Sequence, residues 1–135
     1  MKIYELELQV RDYECDVQGI VNNAIYQSYF EHTRHEFLNS IGCDFNKLRA
    51  EGWDPVVVHA EIKYLASLRP RDRFLSTLSL QKVGRIRLLF EQKLIRISDR
   101  KVVTESLITS VFKKNGRLST PDPLEKIVAS DNQND

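Results

Sequence analysis

One acidic residue lies a short distance before a predicted helix start. Asp16 is followed by Gly19, and then by Asn22 and Asn23 in a polar loop. Asn is favoured at helix N-caps, so the loop is predicted to lead into a helix whose first turn has unpaired backbone N–H groups. A carboxylate beside such donors either satisfies the helix end or serves as a base or nucleophile next to an oxyanion hole. The spacing alone favours the first interpretation, because capping acids are common.

Two further sets of residues are candidates for a nucleophile and for a metal site. Cys15 is adjacent to Asp16, but no Cys or His partner is suitably spaced, so a packed thiol is favoured over a nucleophile. His32, His35 and Glu36 share one segment and suggest a metal site. Two His three residues apart without a third ligand favour a solvated helix face instead.

Length and charge narrow the class of protein. The 135 residues suit one domain, predicted over 1–128, with a polar and disordered tail over 129–135. Twenty basic and 19 acidic residues give a net charge of +1, which does not favour a nucleic-acid or membrane-surface partner. Cys15 and Cys43 are too few for a disulfide framework, and no signal-peptide or membrane-spanning pattern is present. We therefore expect a cytoplasmic protein.

One long helix is predicted to form the centre of the fold. It runs from Asn23 to Ile41 and is closed by Gly42, which suits the left-handed C-terminal position. At helical spacing, apolar side chains cover one broad face of this segment, so it should be buried against a sheet. That face contains Tyr26, Phe30, Phe37 and Ile41, widened by Ile25, Tyr29 and Leu38.

The rest of the chain is mostly strand. Alternating or apolar segments separated by turn residues predict strands over 3–10, 56–64, 74–83, 86–97 and 102–113. Three of these strands follow one another through short turns, which indicates an antiparallel sheet. A short helix is predicted over 124–128. The predicted fold class is α+β, with a curved antiparallel sheet of about five strands wrapped around one central helix.

The helix-opening segment resembles the hotdog-fold acyl-CoA thioesterases of the 4-hydroxybenzoyl-CoA thioesterase type. The likeness extends from about Ile3 to Phe112, and its specific part is one motif. This motif reads Asp16-x-x-Gly19-x-Val21-x-x-x-x-Tyr26-x-x-x-Phe30-Glu31-x-x-Arg34.

The resemblance implies a function and a set of site residues. It implies a dimer or tetramer with active sites at the subunit interface, acting on an acyl-CoA or acyl carrier protein thioester without a metal or redox cofactor. Asp16 corresponds to the family's catalytic aspartate. The oxyanion donors would be backbone N–H groups at the helix start, from Val21 through Asn22 to Asn23, and Gly19 would let the loop approach the thioester.

The motif departs from the family pattern in two places. Many relatives have a His at the position of Asn23, and the fatty-acyl branch usually has one at the position of Ile20. The motif therefore does not identify the acyl chain of the substrate. Within the helix, Glu31 and Arg34 are three residues apart and are predicted to form an ion pair.

Arginines are grouped at two turns. Arg69, Arg71 and Arg73 occupy one loop, and Arg85 and Arg87 flank a hairpin. Either group is a candidate for contacts to the phosphates of coenzyme A, although arginines are also ordinary at surface turns.

Two alternative functions stay open. One is a hotdog-fold enoyl-CoA hydratase or dehydratase, but such relatives typically have an acid and a His near the helix start, and here the first His is His32. The other is a non-catalytic acyl-CoA-binding protein, against which the retained Asp16 argues.

Overall fold

One antiparallel sheet wraps around a long helix. A computed structural model describes residues 2–133, and in this range the sheet order is β1-β3-β4-β5-β2, with β6 paired to β5. The predicted α+β hotdog class is confirmed. The strands are β1 (Lys2–Gln9), β2 (Trp53–Tyr64), β3 (Arg73–Val83), β4 (Arg87–Arg96), β5 (Val102–Lys114) and β6 (Arg117–Ser119). The helices are α1 (Asn23–Ser40), α2 (Phe45–Ala50) and α3 (Asp122–Gln133), with a 3₁₀ turn at Asp12–Glu14.

Helix α1 begins at Asn23 as its sequence predicts and ends at Ser40, one residue before the predicted Ile41. The side chain of Asn22 accepts a hydrogen bond from the Ala24 N–H at 2.9 Å, so Asn22 is the N-cap. At the other end, Gly42 has φ +80°, the left-handed conformation that stops the helix. Ile41 is only partly buried. The buried face consists of Tyr26, Tyr29, Phe30, Thr33, Phe37 and Leu38.

The core beneath α1 has two parts. Around the first half of the helix, Tyr26 and Phe30 pack with Leu68, Phe74 and Leu94. Around the second half lies a second cluster, which includes Phe37, Leu38, Leu78, Phe90 and Phe112. Burying side chains of this size is the main source of stability in a domain this small. The two clusters hold α1 along its whole length and so fix the position of its first turn.

The chain after β5 is more structured than the sequence predicts. Strand β5 ends at Lys114, and Asn115 and Gly116, with φ values of +51° and +85°, form the turn that leads into β6, a strand the sequence did not predict. Helix α3 spans Asp122–Gln133, longer than the predicted 124–128, and Leu124 and Val128 anchor it in the second cluster. Residues 134 and 135 of the predicted tail lie outside the described residues. No helix within residues 2–133 is long and apolar enough to cross a membrane.

Strand β2 has an open edge. Within residues 2–133 it pairs only with β5, and its other edge has no partner strand. Every residue from Val57 to Glu61 is exposed, which includes side chains on both faces of the strand. Exposed β-branched residues on a long open edge are unusual in a monomer, because such an edge pairs readily with another strand.

Gly52, just before β2, provides a stability prediction. Gly52 and Gly116 both have φ +85°, but a Cβ on Gly52 would meet the side chain of Asn115, with Cγ at 3.2 Å, whereas a Cβ on Gly116 meets open space. Both alanine variants should lose stability from backbone strain, about 1–2 kcal/mol. Gly52→Ala should lose about 1 kcal/mol more, because Asn115 must move. Urea unfolding of the two variants measures the difference, and equal losses would contradict the predicted clash.

Candidate active site

The loop that presents Asp16 is tightly hydrogen-bonded. Its two ends form a bridge between Cys15 and Val21, and the Asp16 N–H donates to the Ile20 carbonyl at 2.9 Å. The Gly19 N–H donates to the Asp16 carbonyl at 3.0 Å, in a turn where Gly19 has φ +74°. The Asp16 backbone is therefore held at a fixed place relative to the start of α1.

One carboxylate oxygen of Asp16 is engaged within its own loop. Asp16 Oδ1 accepts from the Gln18 N–H at 2.8 Å, while Oδ2 has no hydrogen-bond partner among residues 2–133. The Asp16 side chain is exposed, and the neighbouring Val17 is fully exposed. The carboxylate is thus oriented by its loop and open to an incoming group.

Two of the three predicted oxyanion donors already have acceptors. The Val21 N–H donates to the Leu68 carbonyl at 2.9 Å, and the Asn22 N–H donates to the Glu14 carbonyl at 3.2 Å. The Asn23 N–H has no acceptor within residues 2–133. It belongs to the first residue of α1, where the helix dipole contributes about half a positive charge. Asn23 is therefore the predicted donor with a free N–H.

Other groups near Asp16 are less suited to chemistry. Burial, followed by the nearby carboxylates of Asp12, Glu14 and Asp16, raises the pKa of the Cys15 thiol, which disfavours the reactive thiolate. The Tyr29 hydroxyl donates to Glu14 Oε1 at 2.9 Å, and burial together with this hydrogen bond raises the pKa of Tyr29. These groups support the loop.

The structure separates the two arginine groups. The loop between β2 and β3 is bonded to the Asp16 region, because Leu68 accepts from Val21 and the Arg71 N–H donates to the Val10 carbonyl at 3.0 Å. Exposed Arg69 and Arg71 are therefore on the same side as Asp16, whereas Arg73 pairs with Glu7 at 3.1 Å. Arg85 and Arg87 lie at the hairpin between β3 and β4, at the opposite end of the sheet.

A groove of about 670 Å³ lies beside the second half of α1. Its walls come from α1, α2 and the first residues of β2, and its floor includes Phe90, Ser110 and Phe112. The volume is within the range typical of small-molecule sites. Asp16 does not line this groove. Arg34, on α1, is about 16 Å along the helix from Asn23, given a rise of 1.5 Å per residue.

The predicted ion pair between Glu31 and Arg34 is not formed. Glu31 is exposed and lies 3.6 Å from His35. Arg34 points toward the sheet, where its Nη1 donates to Gln92 Oε1 at 2.9 Å. Gln92 is fully buried, and its Nε2 donates to the Phe30 carbonyl at 3.0 Å, so its orientation is fixed. The prediction was wrong because Arg34 is turned toward Gln92 on the sheet.

A signal in β4 marks the place where this polar contact forms. Phe90, Gln92 and Leu94 alternate along one face of the strand, so Gln92 is a polar residue at a core-facing position. A buried amide requires hydrogen-bond partners, which predicts a polar group on the element packed above it.

His35, predicted as a candidate metal ligand, packs edge-on against Phe45 at 4.2 Å between ring centroids. Within residues 2–133 no group of three or more His, Cys, Asp or Glu could hold a metal ion.

Comparison with known proteins identifies relatives for most of the chain. The family described as the thioesterase-like superfamily matches residues 10–129. A chloroplastic acyl-acyl carrier protein thioesterase of Arabidopsis thaliana is 38% identical over 83% of this chain and 60% of its own length. A second such thioesterase of the same plant is 32% identical, and the match again covers 60% of that relative's own length. The chain thus spans about 60% of the length of these two relatives.

Solved structures share the architecture. A hypothetical protein from Aquifex aeolicus superposes with a TM-score of 0.84 at 29% identity, over 93% of this chain and 99% of its own. A 1,4-dihydroxy-2-naphthoyl-CoA thioesterase from Synechocystis superposes with a TM-score of 0.86 at 17% identity, over 93% of this chain and 95% of its own. At 17% identity the second match shows a shared fold.

Proposed function

Because the chain belongs to the thioesterase-like superfamily, we propose that it hydrolyses the thioester of an acyl-CoA or acyl carrier protein. The observation that supports this most directly is the unpaired N–H of Asn23. It lies at the start of α1, whose apolar face is buried against the sheet, and seven residues after an oriented and exposed carboxylate. Thioester hydrolysis requires such a pair, a base and a donor for the developing oxyanion.

The proposed reaction uses Asp16 as the base. The thioester carbonyl oxygen accepts a hydrogen bond from the Asn23 N–H, and Asp16 Oδ2 takes a proton from a water as that water attacks the carbonyl carbon. The carbon–sulfur bond then breaks, and the thiolate receives the proton as it leaves. Gly19 and the small turn around it leave space for the thioester, since nothing lies within 4 Å of a Cβ built on Gly19.

The proposed enzyme is a homodimer formed through the open edge of β2. The Tyr64 hydroxyl donates to the Asn23 carbonyl at 3.4 Å, so the end of β2 lies beside the start of α1, whereas Trp53, at its beginning, lines the groove. If two copies pair antiparallel along β2, the Tyr64 end of one meets the Trp53 end of the other. Each Asp16 then faces the groove of the partner, which would receive the acyl group. Pairing would also cover the exposed residues Val57 and Val58.

The arginines would contact the phosphates of coenzyme A. Arg69 and Arg71 lie on the same side of the protomer as Asp16. In the proposed dimer, the partner subunit's Arg85 and the partner subunit's Arg87 would lie at that same end, because β4 runs parallel to β2. Arginine suits phosphate contacts because its planar fork donates two hydrogen bonds at once.

An assay of thiol release tests the function. The protein is expected to release free thiol from a panel of acyl-CoA substrates, as read by a thiol reagent. The Cys15→Ser variant should retain the activity within about threefold, since a thiol with a raised pKa is a poor nucleophile. Binding of acyl-CoA without thiol release would favour the non-catalytic alternative. Turnover on enoyl-CoA alone would favour the hydratase.

A further inference from the structure

The hydroxyl of Tyr26 is a buried polar group that takes no direct part in the proposed reaction. Tyr26 belongs to the first turn of α1 and is 2% exposed. Its oxygen accepts a hydrogen bond from the Leu68 N–H at 3.0 Å. Burial raises the pKa of Tyr26, so the hydroxyl stays protonated at neutral pH and is not a base. Its contact attaches the first turn of the helix to the loop between β2 and β3.

The backbone of Leu68 connects Tyr26 with the residues just before the helix. The Leu68 N–H bonds to Tyr26, and the Leu68 carbonyl accepts from the Val21 N–H at 2.9 Å. Val21 and Leu68 are both buried. Asn23 lies between the two attachment points in the sequence, so the place of its N–H is fixed from both sides. Val21, Tyr26 and the backbone of Leu68 together form what we call the helix-start bracket.

The loop that carries Leu68 is anchored on both sides of this residue. Before it, the Arg96 guanidinium donates to the Ser67 carbonyl at 2.8 Å. After it, the Arg71 N–H donates to the Val10 carbonyl at 3.0 Å. Leu68 is therefore a fixed point in the protein, and a helix start bonded to it twice is held in one position.

The bracket holds the free donor of the proposed site in place. The N–H groups of Val21 and Asn22 are bonded within the protein, which leaves the Asn23 N–H for the thioester oxygen. Without the bond to Tyr26, the first turn of α1 could move relative to Asp16, and the Asn23 N–H would no longer point to where the oxyanion forms. Misplacing a reacting group by about 1 Å can cost roughly 100-fold in rate.

We infer that Tyr26 is a positioning residue, whose hydroxyl aligns the Asn23 N–H with the developing oxyanion through the backbone of Leu68. The effect on rate rests on the proposed function, whereas the bracket is a property of the protein without substrate. Because the Tyr26 side chain is buried and its oxygen is bonded to Leu68, it does not touch the substrate. Its removal should therefore act on kcat and leave KM unchanged.

Tyr26→Phe removes a single oxygen and tests this assignment. The variant leaves the buried Leu68 N–H without its acceptor, so the loop has to shift or admit water to satisfy it. For an acyl-CoA that the parent hydrolyses, we expect kcat to fall about 10- to 100-fold, at or below the loss from removing an oxyanion donor entirely. KM should stay within about threefold of the parent value.

The matched control is Thr33→Val, which also removes one buried hydroxyl from α1. Thr33 Oγ1 lies 2.6 Å from Ser76 Oγ, and both side chains are fully buried. Thr33 is about 15 Å along the helix from Asn23, given a rise of 1.5 Å per residue, so its bond does not hold the helix start. Both variants should unfold at lower urea concentrations than the parent, but Thr33→Val should keep kcat within about threefold.

A dithioester substrate separates positioning from a general loss of structure. In the dithioester analogue of the same acyl-CoA, sulfur replaces the carbonyl oxygen, and sulfur accepts hydrogen bonds weakly. The Asn23 N–H then contributes little to the rate. Tyr26→Phe should therefore lower kcat for the dithioester by less than about threefold, as followed by its ultraviolet absorbance. A loss of folded protein would lower both rates equally.

Amide hydrogen exchange tests the bracket without catalysis. In the parent, the N–H groups of Val21 and Leu68 should exchange at least about 100-fold more slowly than that of Asn23, because both are buried and hydrogen-bonded. In Tyr26→Phe both should exchange about 10-fold faster or more, relative to the amides of β4. In Thr33→Val this relative rate should match the parent.

The outcomes separate the two proposals. Absence of thiol release from every acyl-CoA and acyl carrier protein substrate would overturn the proposed function, and the exchange rates would then decide the bracket alone. An unchanged kcat in Tyr26→Phe, or an equal loss with thioester and dithioester, would overturn the inference and leave the thioesterase proposal intact. If Tyr26→Phe does not fold, the parent decides: fast exchange at Val21 and Leu68 overturns the inference, and slow exchange supports it.

Discussion

Asp16→Asn is expected to lower kcat for acyl-CoA hydrolysis by about a thousandfold while leaving the fold intact, since a positioned general base contributes about 10²–10⁴-fold. The substitution is nearly isosteric, and the amide oxygen can still accept from the Gln18 N–H, as Asp16 Oδ1 does at 2.8 Å. The substitution removes the negative charge of the carboxylate, and with it the ability of Oδ2 to take a proton from water. KM should change little, because the Asn23 N–H and the groove remain.

The matched control for this variant is Asp12→Asn. Asp12 is another exposed acid of the same segment, in the 3₁₀ turn before the loop, and it has no place in the proposed reaction. Its activity should stay within about threefold of the parent, and urea unfolding of both variants should agree with the parent within about 0.5 kcal/mol. An Asp16→Asn protein as active as Asp12→Asn would remove Asp16 from the mechanism.

Val58→Asp is expected to separate the proposed dimer and to abolish most of the activity. Val58 is about half exposed and lies midway along the open edge of β2, beside the irregularity between Val57 and His59. In an antiparallel pairing about the middle of the strand, the two copies of residue 58 would meet, so two carboxylates would be brought together and partly desolvated. We expect the dimer dissociation constant to rise at least about 100-fold, a loss of roughly 3 kcal/mol.

Activity should follow the oligomeric state, because in a single protomer Asp16 does not line the groove, and the groove residue Arg34 lies about 16 Å along the helix from Asn23. Sedimentation velocity and thiol release are measured on the same Val58→Asp samples across a range of concentrations. Leu118→Asp, on exposed β6 away from the β2 edge, is the control and should stay dimeric and active. A monomeric Val58→Asp protein with the parent's activity would show that each site is complete in one chain.

Local sequence determined the elements and the place of the helix start. Asn22 and Gly42 act on their own neighbours through capping and a left-handed backbone, and the apolar period of α1 follows from its 3.6-residue repeat. The strand pattern and its short turns likewise determined an antiparallel sheet, and the broad apolar face of α1 required that sheet to cover the helix. The sequence also predicted that Asp16 lies close to the helix start, because only seven residues separate it from Asn23.

Contacts between distant segments were decided only by the tertiary structure. Which N–H groups at the helix start stay free depends on Val21 bonding to Leu68, a partner far along the chain. Arg34 bonds to Gln92 and not to Glu31, the partner predicted from helical spacing. The reason is that packing against the sheet brings a fixed acceptor, Gln92 Oε1, within reach of its guanidinium. Sequence spacing reports neighbours within one element, whereas the partner of a buried polar group is set by the element packed against it.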